Sequence, residues 1–136
     1  MIEHKDITEK ILSGCFEVIN ELGAGFVESV YEKALAIVLR EKGLDVQTQV
    51  PLTVIFRGQP VGDFVADIVV ERVVIVELKA VKSLLPEHQA QLINYLNATN
   101  LPIGLLVNFG NPRLEYKRLY GKHDSIHDKV DESSNE

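Results

Sequence analysis

Residues 73–79 read Val-Val-Ile-Val-Glu-Leu-Lys, four branched aliphatic residues followed within three positions by two charged ones. An almost wholly apolar run of this kind is typical of a β-strand that is buried on both faces of a sheet. Glu77 and Lys79 are two positions apart, so both side chains project from the same face of that strand. Charges in such a strand need each other, a metal ion or a substrate. The stretch therefore predicts either a structural ion pair or a functional site.

A second carboxylate, Asp67, lies on the preceding strand of a predicted β-hairpin. A two-residue loop at 71–72 would put Asp67 and Glu77 on opposite faces, whereas an odd loop would put both on one face with Lys79. Two carboxylates beside a lysine suit an oxygen-ligated Mg²⁺ or Mn²⁺ ion. We therefore predict an odd loop, with Val69 opposite residue 73, or an equivalent bulge. Asp63 shares a strand face with Asp67 and is the alternative ligand.

Hydrophobic spacing predicts the other elements. Apolar residues at three- and four-residue steps indicate helices, and period-two or continuous apolar runs indicate strands. The predicted helices span about 7–21, 27–42 and 86–97. The predicted strands span about 46–56, 61–70, 73–79, 103–109 and 114–120. The order is ααβββαββ, an α/β or α+β fold in which helices flank a mixed sheet.

Composition and charge limit the classes of function. The 136 residues are 46% hydrophobic and 25% charged, values that exclude wholesale disorder. We expect one domain over 1–121 and a frayed, polar, acidic tail over 122–136. The net charge is −6, and the tail, with five acidic residues and two lysines, carries −3 of it. Because this charge opposes binding to a polyanion, any nucleic-acid binding should be weak, metal-dependent and local to one face.

Cellular location and cysteine chemistry follow from the same composition. No apolar run approaches the roughly 20 residues of a membrane helix, and the N-terminus is charged where a signal peptide is apolar. We therefore expect a cytoplasmic protein without membrane contact. Cys15 lies in a helical apolar pattern and is expected to be a small core residue rather than a nucleophile.

Taken in order, the charged residues resemble a known family. Asp67, then Glu77-Leu78-Lys79 on the next strand, then a helix, resembles the PD-(D/E)xK phosphodiesterase superfamily. Ala66 replaces the proline of the superfamily's name. The resemblance implies a restriction-endonuclease-like core, which is compatible with the predicted order of elements.

A second sequence motif resembles one particular branch of this superfamily. Residues 25–31, Gly-Phe-Val-Glu-Ser-Val-Tyr, are similar to the signature of the GxxExxY proteins, a prokaryotic branch of the superfamily. Asn108-Phe109-Gly110 follows in the expected order, and the similarity extends from about residue 7 to residue 120. Within the string, Tyr31 also lies on the apolar stripe of its helix, which favours packing over chemistry for this side chain.

The resemblance implies roles for individual residues. Asp67 and Glu77 would be the principal metal ligands, Glu28 would add a carboxylate from a helix, and the main-chain carbonyl of Leu78 would complete the shell. Lys79 would orient or polarise the attacking water. From the residues alone, Glu28 is equally explained as a first-turn acid favoured by the helix dipole.

Three residues of the helix after the lysine strand are further candidates. Gln91 and Tyr95, spaced Gln-x-x-x-Tyr, resemble a motif in the nuclease domains of bacterial recombination helicases. Residues four apart share a helix face, and His88 lies close to them. The three side chains would contact phosphate or hold the carboxylates of the site. Their alternative is an ordinary polar helix face.

The function that the resemblance implies is metal-dependent phosphodiester hydrolysis, with Mg²⁺ or Mn²⁺ as cofactor and DNA favoured over RNA. The alternative is a non-catalytic module that binds nucleic acid or protein on an inactive nuclease scaffold. The absence of tryptophan and of any basic run favours this alternative. A homodimer is left open, because a second copy would help so short a chain to grip a duplex.

Overall fold

Two helices precede a mixed sheet in the computed structural model, which describes residues 4–122 and the backbone of 131–132. The helices are α1 (His4–Leu22), α2 (Glu28–Glu41) and α3 (Pro86–Thr99). The strands are β1 (Val46–Phe56), β2 (Gln59–Val70), β3 (Val74–Lys79), β4 (Ile103–Asn108), β5 (Glu115–Tyr120) and β6 (Asp131–Glu132). The predicted α+β class and the order ααβββαββ are confirmed. The short β6, inside the predicted tail, is an addition; residues 123–130 and 133–136 of that tail lie outside the described residues.

The strands follow chain order across the sheet, β1-β2-β3-β4-β5-β6. Neighbouring strands are antiparallel except β3 and β4, which run parallel from Val74 opposite Ile103 to Lys79 opposite Asn108. Parallel neighbours need a long crossover, and α3 supplies it. The carboxyl ends of β3 and β4 therefore lie side by side, so that Lys79 is adjacent to Asn108.

Helices cover both faces of this sheet. On one face, α1 and α2 bury side chains such as Ile11, Cys15 and Leu35 against the sheet, and on the other α3 buries Leu92 and Leu96. Cys15 is buried as predicted, and burial raises the pKa of its thiol, so it stays protonated. Within the described part of the chain, none of the helices has the length and apolarity needed to cross a membrane.

The β2–β3 turn is a three-residue loop, 71–73, with Val70 opposite Val74. The prediction of an odd loop is confirmed, although the loop lies one residue further along the chain than expected. Glu71 and Arg72 both adopt left-handed backbone conformations, with φ of 55° and 57°. The turn is anchored to Asp45, whose N–H donates to Glu71 Oε2 at 2.6 Å and whose carbonyl accepts from the Glu71 N–H at 2.8 Å.

The β1–β2 hairpin is tighter than predicted. Arg57 and Gly58 alone form its turn, both with positive φ, so β2 begins at Gln59 rather than at Val61. Left-handed conformation at both central residues matches the twist of the flanking strands, which explains the early start of pairing. Because β3 pairs with β2 only at residues 68–70, the outer part of this hairpin extends beyond β3.

Candidate active site

Asp67 and Glu77 lie opposite each other where β2 and β3 separate. The ladder runs from Val70 and Val74 to Ile68 and Val76, so its next opposed residues are Asp67 and Glu77. Beyond this point, hydrogen bonds to side chains replace the backbone hydrogen bonds between the two strands. The Asp67 N–H donates to Glu77 Oε2 at 3.0 Å, and the Leu78 N–H donates to Asp67 Oδ2 at 2.9 Å. Each carboxylate thus satisfies a backbone N–H of the other strand, and the sheet fixes both side chains.

Both carboxyl groups are protonated more readily than usual. Burial raises the pKa of Glu77 to about 7, with the charge of Asp67 adding to the effect; Glu77 is only 8% exposed. Burial also raises the pKa of Asp67, against the opposing hydrogen bond from Leu78 and with support from the charge of Glu28. Two like charges of this kind, one buried and one half-buried, are stabilised by a proton or by a cation placed between them.

Lys79 is near this pair without bonding to it. Its positive charge lowers the pKa of both Asp67 and Glu77. Among the described residues, ion pairs such as Lys42 with Glu17 and Arg72 with Asp45 are formed, but none joins Glu77 to Lys79, so the structural pair that the sequence allowed is not formed. The ammonium group is therefore available to an incoming anion.

Glu28 brings α2 to the end of β3. It is the first residue of α2, and its Oε2 accepts a hydrogen bond from the Ala80 N–H at 3.3 Å. Its charge raises the pKa of both Asp67 and Glu77, so it lies within electrostatic range of them. Its first-turn position is also the one that the helix dipole favours. The structural and functional interpretations of Glu28 are therefore compatible.

Tyr31 fixes the loop that precedes Glu28. Its ring is fully buried and stacks on Phe109, with centroids 4.7 Å apart and planes at 12°. Its hydroxyl donates to the Gly23 carbonyl at 2.6 Å and accepts from the Phe26 N–H at 3.1 Å. The sequence suggested only packing for Tyr31. Its two hydrogen bonds to the loop add a positioning role that apolar spacing alone cannot indicate.

Asn108 holds the loop after Lys79 in place through its side-chain hydrogen bonds. It is fully buried; its Oδ1 accepts from the N–H groups of Val81 and Gly110, both at 2.9 Å, and its Nδ2 donates to the Val81 carbonyl at 2.9 Å. Nδ2 also donates to Glu115 at 3.1 Å. The sequence indicated Asn108 only as part of the Asn-Phe-Gly motif. Its position at the end of an apolar strand was the sequence signal that could have predicted a buried, hydrogen-bonded amide.

The three α3 candidates have different surroundings. The Nδ1 of His88 accepts a hydrogen bond from the Leu85 N–H at 3.0 Å and so caps the helix start. Gln91 is exposed. Tyr95 stacks on Phe64 of β2, with centroids 3.7 Å apart, and its pKa is raised by burial and by the charges of Glu77 and Asp67. Of the three, Tyr95 is the one linked to the acidic pair.

The alternative ligand Asp63 lies elsewhere. It is exposed on the outer part of the β1–β2 hairpin and accepts a hydrogen bond from the Thr53 hydroxyl at 3.0 Å. Asp67, and not Asp63, lies opposite Glu77.

These donors fit a divalent cation in part. Among the residues described, no three acidic, histidine or cysteine side chains converge closely enough to enclose a metal ion. Asp67 and Glu77 do fit a divalent cation as a pair. Each uses one carboxylate oxygen to accept a backbone N–H and keeps the other oxygen for a ligand. Carboxylate oxygens are the ligands that Mg²⁺ and Mn²⁺ prefer. Glu28 is bonded to Ala80 instead. Two of the three predicted side-chain ligands are therefore brought together.

Comparison with known proteins gives one family. Residues 5–119 match the model of the PD-(D/E)XK nuclease superfamily, whose members are typically metal-dependent and act on nucleic acid. Comparisons with curated proteins and with solved structures gave no match. Because the matched segment includes both carboxylates, Lys79 and every element from α1 to β5, we conclude that the chain belongs to the PD-(D/E)XK nuclease superfamily.

Proposed function

We propose that the protein is a Mg²⁺- or Mn²⁺-dependent phosphodiester hydrolase that cleaves nucleic acid, DNA in preference to RNA. The observation that carries the proposal is the Asp67–Glu77 pair, held by reciprocal hydrogen bonds to the opposite strand, with the charge of Lys79 beside it. Superfamily membership supplies the class of reaction. The preference for DNA follows the resemblance to the PD-(D/E)xK superfamily.

In this proposal Asp67 and Glu77 would hold the cation, with the main-chain carbonyl of Leu78 as a further ligand. Glu28 contributes its carboxylate from the start of α2. A bound divalent cation supplies Lewis-acid activation of water and neutralises charge on the phosphate. Lys79 orients the attacking water and stabilises the negative charge that builds on the phosphate.

We assign the chain within the superfamily to the GxxExxY branch. The support is that all three signature positions act on one loop: Gly25 has a φ of 114°, Glu28 follows the loop, and Tyr31 holds it through two hydrogen bonds. His88, Gln91 and Tyr95 are proposed to contact the substrate. Tyr95 has the strongest support, because its pKa responds to Glu77 and Asp67.

Cleavage assays with matched controls test this function. Single- and double-stranded DNA and RNA would be incubated with Mg²⁺, Mn²⁺ or EDTA, using the wild type and Asp67→Asn, Glu77→Gln and Lys79→Met. Each variant should lose at least about 100-fold in rate. The controls are Asp63→Asn, the same change on the same strand, and Lys82→Met, an exposed lysine three residues after Lys79. Wild-type rates in the three site variants would disprove the assignment.

A second candidate is a non-catalytic binding module on the same scaffold. The observation that favours it is that, among the described residues, no third acidic, histidine or cysteine side chain joins the Asp67–Glu77 pair. Calorimetric titration with Mn²⁺ separates the two functions. A nuclease should bind Mn²⁺ in the wild type and lose this binding in Asp67→Asn and Glu77→Gln, whereas a binding module should show no difference between the three proteins.

A further inference from the structure

The strand β1 is distorted at Gln49, where its pairing with β2 is interrupted; a second irregularity lies further along, between Val54 and Ile55. Gln49 has a φ of 51°, a left-handed conformation that residues other than glycine seldom adopt, least of all within a strand. The pairing of β1 with β2 is otherwise in register from Val46 opposite Val70 to Val54 opposite Gly62, but it omits Gln49 and the residue facing it. That residue is Asp67. The distortion of β1 therefore lies directly opposite the proposed metal ligand.

At this point the β1–β2 hairpin changes the side of the sheet on which its apolar side chains are buried. Residues of equal parity on a regular strand face one side, so Ile68 and Ala66 should share a core. Ile68 instead lies in the core under α1 and α2, whereas Ala66 joins the core under α3, where Val50 packs as well. Phe64 continues the change by stacking on Tyr95 of α3. The left-handed conformation of Gln49 therefore lies where both strands change the side of the sheet on which their side chains are buried.

A hydrogen bond from α2 holds the distorted residue. Gln49 Nε2 donates to Glu32 Oε1 at 2.6 Å. Glu32 is four residues after Glu28, so both carboxylates project from the same face of α2. Burial raises the pKa of Glu32, and the charge of Asp67 adds to the increase, which places Glu32 near that residue as well. The same helix therefore contacts the end of β3 through Glu28 and the interruption of β1 through Glu32.

We propose that Glu32 and Gln49 are positioning residues, whose hydrogen bond holds the left-handed interruption of β1 and so sets the place of Asp67 opposite Glu77. The inference extends the proposed function, since it names what aligns the metal ligands. Neither residue needs to touch the cation or the substrate. Outer hydrogen-bonding partners of metal ligands commonly affect affinity in this way.

The sharpest test is a double variant, called the exchanged pair, in which positions 32 and 49 swap their glutamate and glutamine. Gln49→Glu alone places two carboxylates against each other, whereas Glu32→Gln with Gln49→Glu restores an amide–carboxylate bond with donor and acceptor reversed. The double variant keeps the pair's net charge and retains the new charge at position 49, so it separates the loss of the bond from the added charge. Glu32→Ala removes the acceptor altogether.

The first measurement is amide hydrogen exchange at Leu78, whose N–H donates to Asp67, with the amide of Leu105 on the doubly paired β4 as the internal control. Gln49→Glu and Glu32→Ala should lower the protection of Leu78 by at least about tenfold and leave Leu105 unchanged. The exchanged pair should restore it. Unchanged Leu78 protection in Gln49→Glu, or no recovery in the double variant, would overturn the proposal.

The second measurement is calorimetric titration with Mn²⁺. Gln49→Glu should bind Mn²⁺ about tenfold more weakly than the wild type, and the exchanged pair should recover to within about twofold. Wild-type Mn²⁺ affinity in Gln49→Glu would also refute the proposed role. If the wild type itself binds no Mn²⁺, the proposed function fails, while the Leu78 exchange data still decide whether the pair positions Asp67.

Discussion

Glu77 combines burial, a like-charged neighbour and a hydrogen bond from the sheet in one side chain. Burial and Asp67 raise its pKa from 4.5 to about 7, so the folded chain holds a proton that the unfolded chain releases. A raised pKa contributes stability that is fully present below the unfolded value and is lost as the pH rises through the folded value. The metal-free protein should therefore weaken between these two pH values, unlike a protein with a salt-bridged acid.

We predict that the free energy of unfolding of the metal-free wild type falls by about 2 kcal/mol between pH 5.5 and pH 7.5 because of Glu77. Urea unfolding in EDTA at several pH values measures it. Glu77→Gln should flatten the dependence, and Mn²⁺ at pH 7.5 should stabilise the wild type but not this variant. An identical slope in both proteins would assign the titration to other groups.

At the scale of elements, the loop after β3 depends on the turn after β4. Gly110 is next to the Val81 backbone, and a Cβ on this glycine would overlap the Val81 carbonyl oxygen. Since backbone atoms cannot move aside as a flexible side chain can, we predict that Gly110→Ala costs about 3 kcal/mol or more. The variant should also reduce cleavage, because the same loop leads away from Lys79.

Thermal and urea unfolding would measure the stability loss. Gly62→Ala on the β1–β2 hairpin is the matched control, since a Cβ there meets nothing within 4 Å. That control should leave stability unchanged or slightly raised, because glycine weakens a strand. Equal stability of the Gly110→Ala variant and the wild type would contradict the close approach of the two loops.

The elements were predictable where a local pattern determines them. Period-two spacing and the requirement for one shared face led to the odd β2–β3 loop, and the apolar run at 73–79 indicated the central strand. The left-handed conformation of Gln49 was not predictable, because glutamine carries no local signal for it and the contact with Glu32 joins residues 17 positions apart. The contact of Glu28 with Ala80 joins residues 52 positions apart and was not predicted; only the family resemblance placed Glu28 at the site at all.

At the scale of the whole molecule, charge controls how nucleic acid can approach. Residues 1–121 carry 12 basic and 15 acidic side chains, so one divalent cation would reduce their net charge from −3 to −1. We predict that binding to DNA requires Mn²⁺ and that the logarithm of affinity falls with the logarithm of salt concentration with a slope of only about −1 to −2. Fluorescence anisotropy with the Lys79→Met variant would measure binding without cleavage.

The same titration in EDTA is the control, and binding there should be too weak to measure. Tight binding without metal, or a steep salt dependence, would show that a basic surface and not the acidic pair captures the nucleic acid. Arg113, Lys117 and Arg118, in and just before β5, would then be the first residues to replace.

The reciprocal bonding of Asp67 and Glu77 also affects how related sequences should be interpreted. Both carboxylates replace missing strand-to-strand hydrogen bonds, so a related chain that does not cleave nucleic acid would still need a hydrogen-bond acceptor at each of these two positions. Lys79 has no such structural duty, because its side chain bonds to neither acid. When a genome encodes several copies of this chain, we therefore expect, under the proposed function, that loss of Lys79 marks the copies that do not cleave nucleic acid.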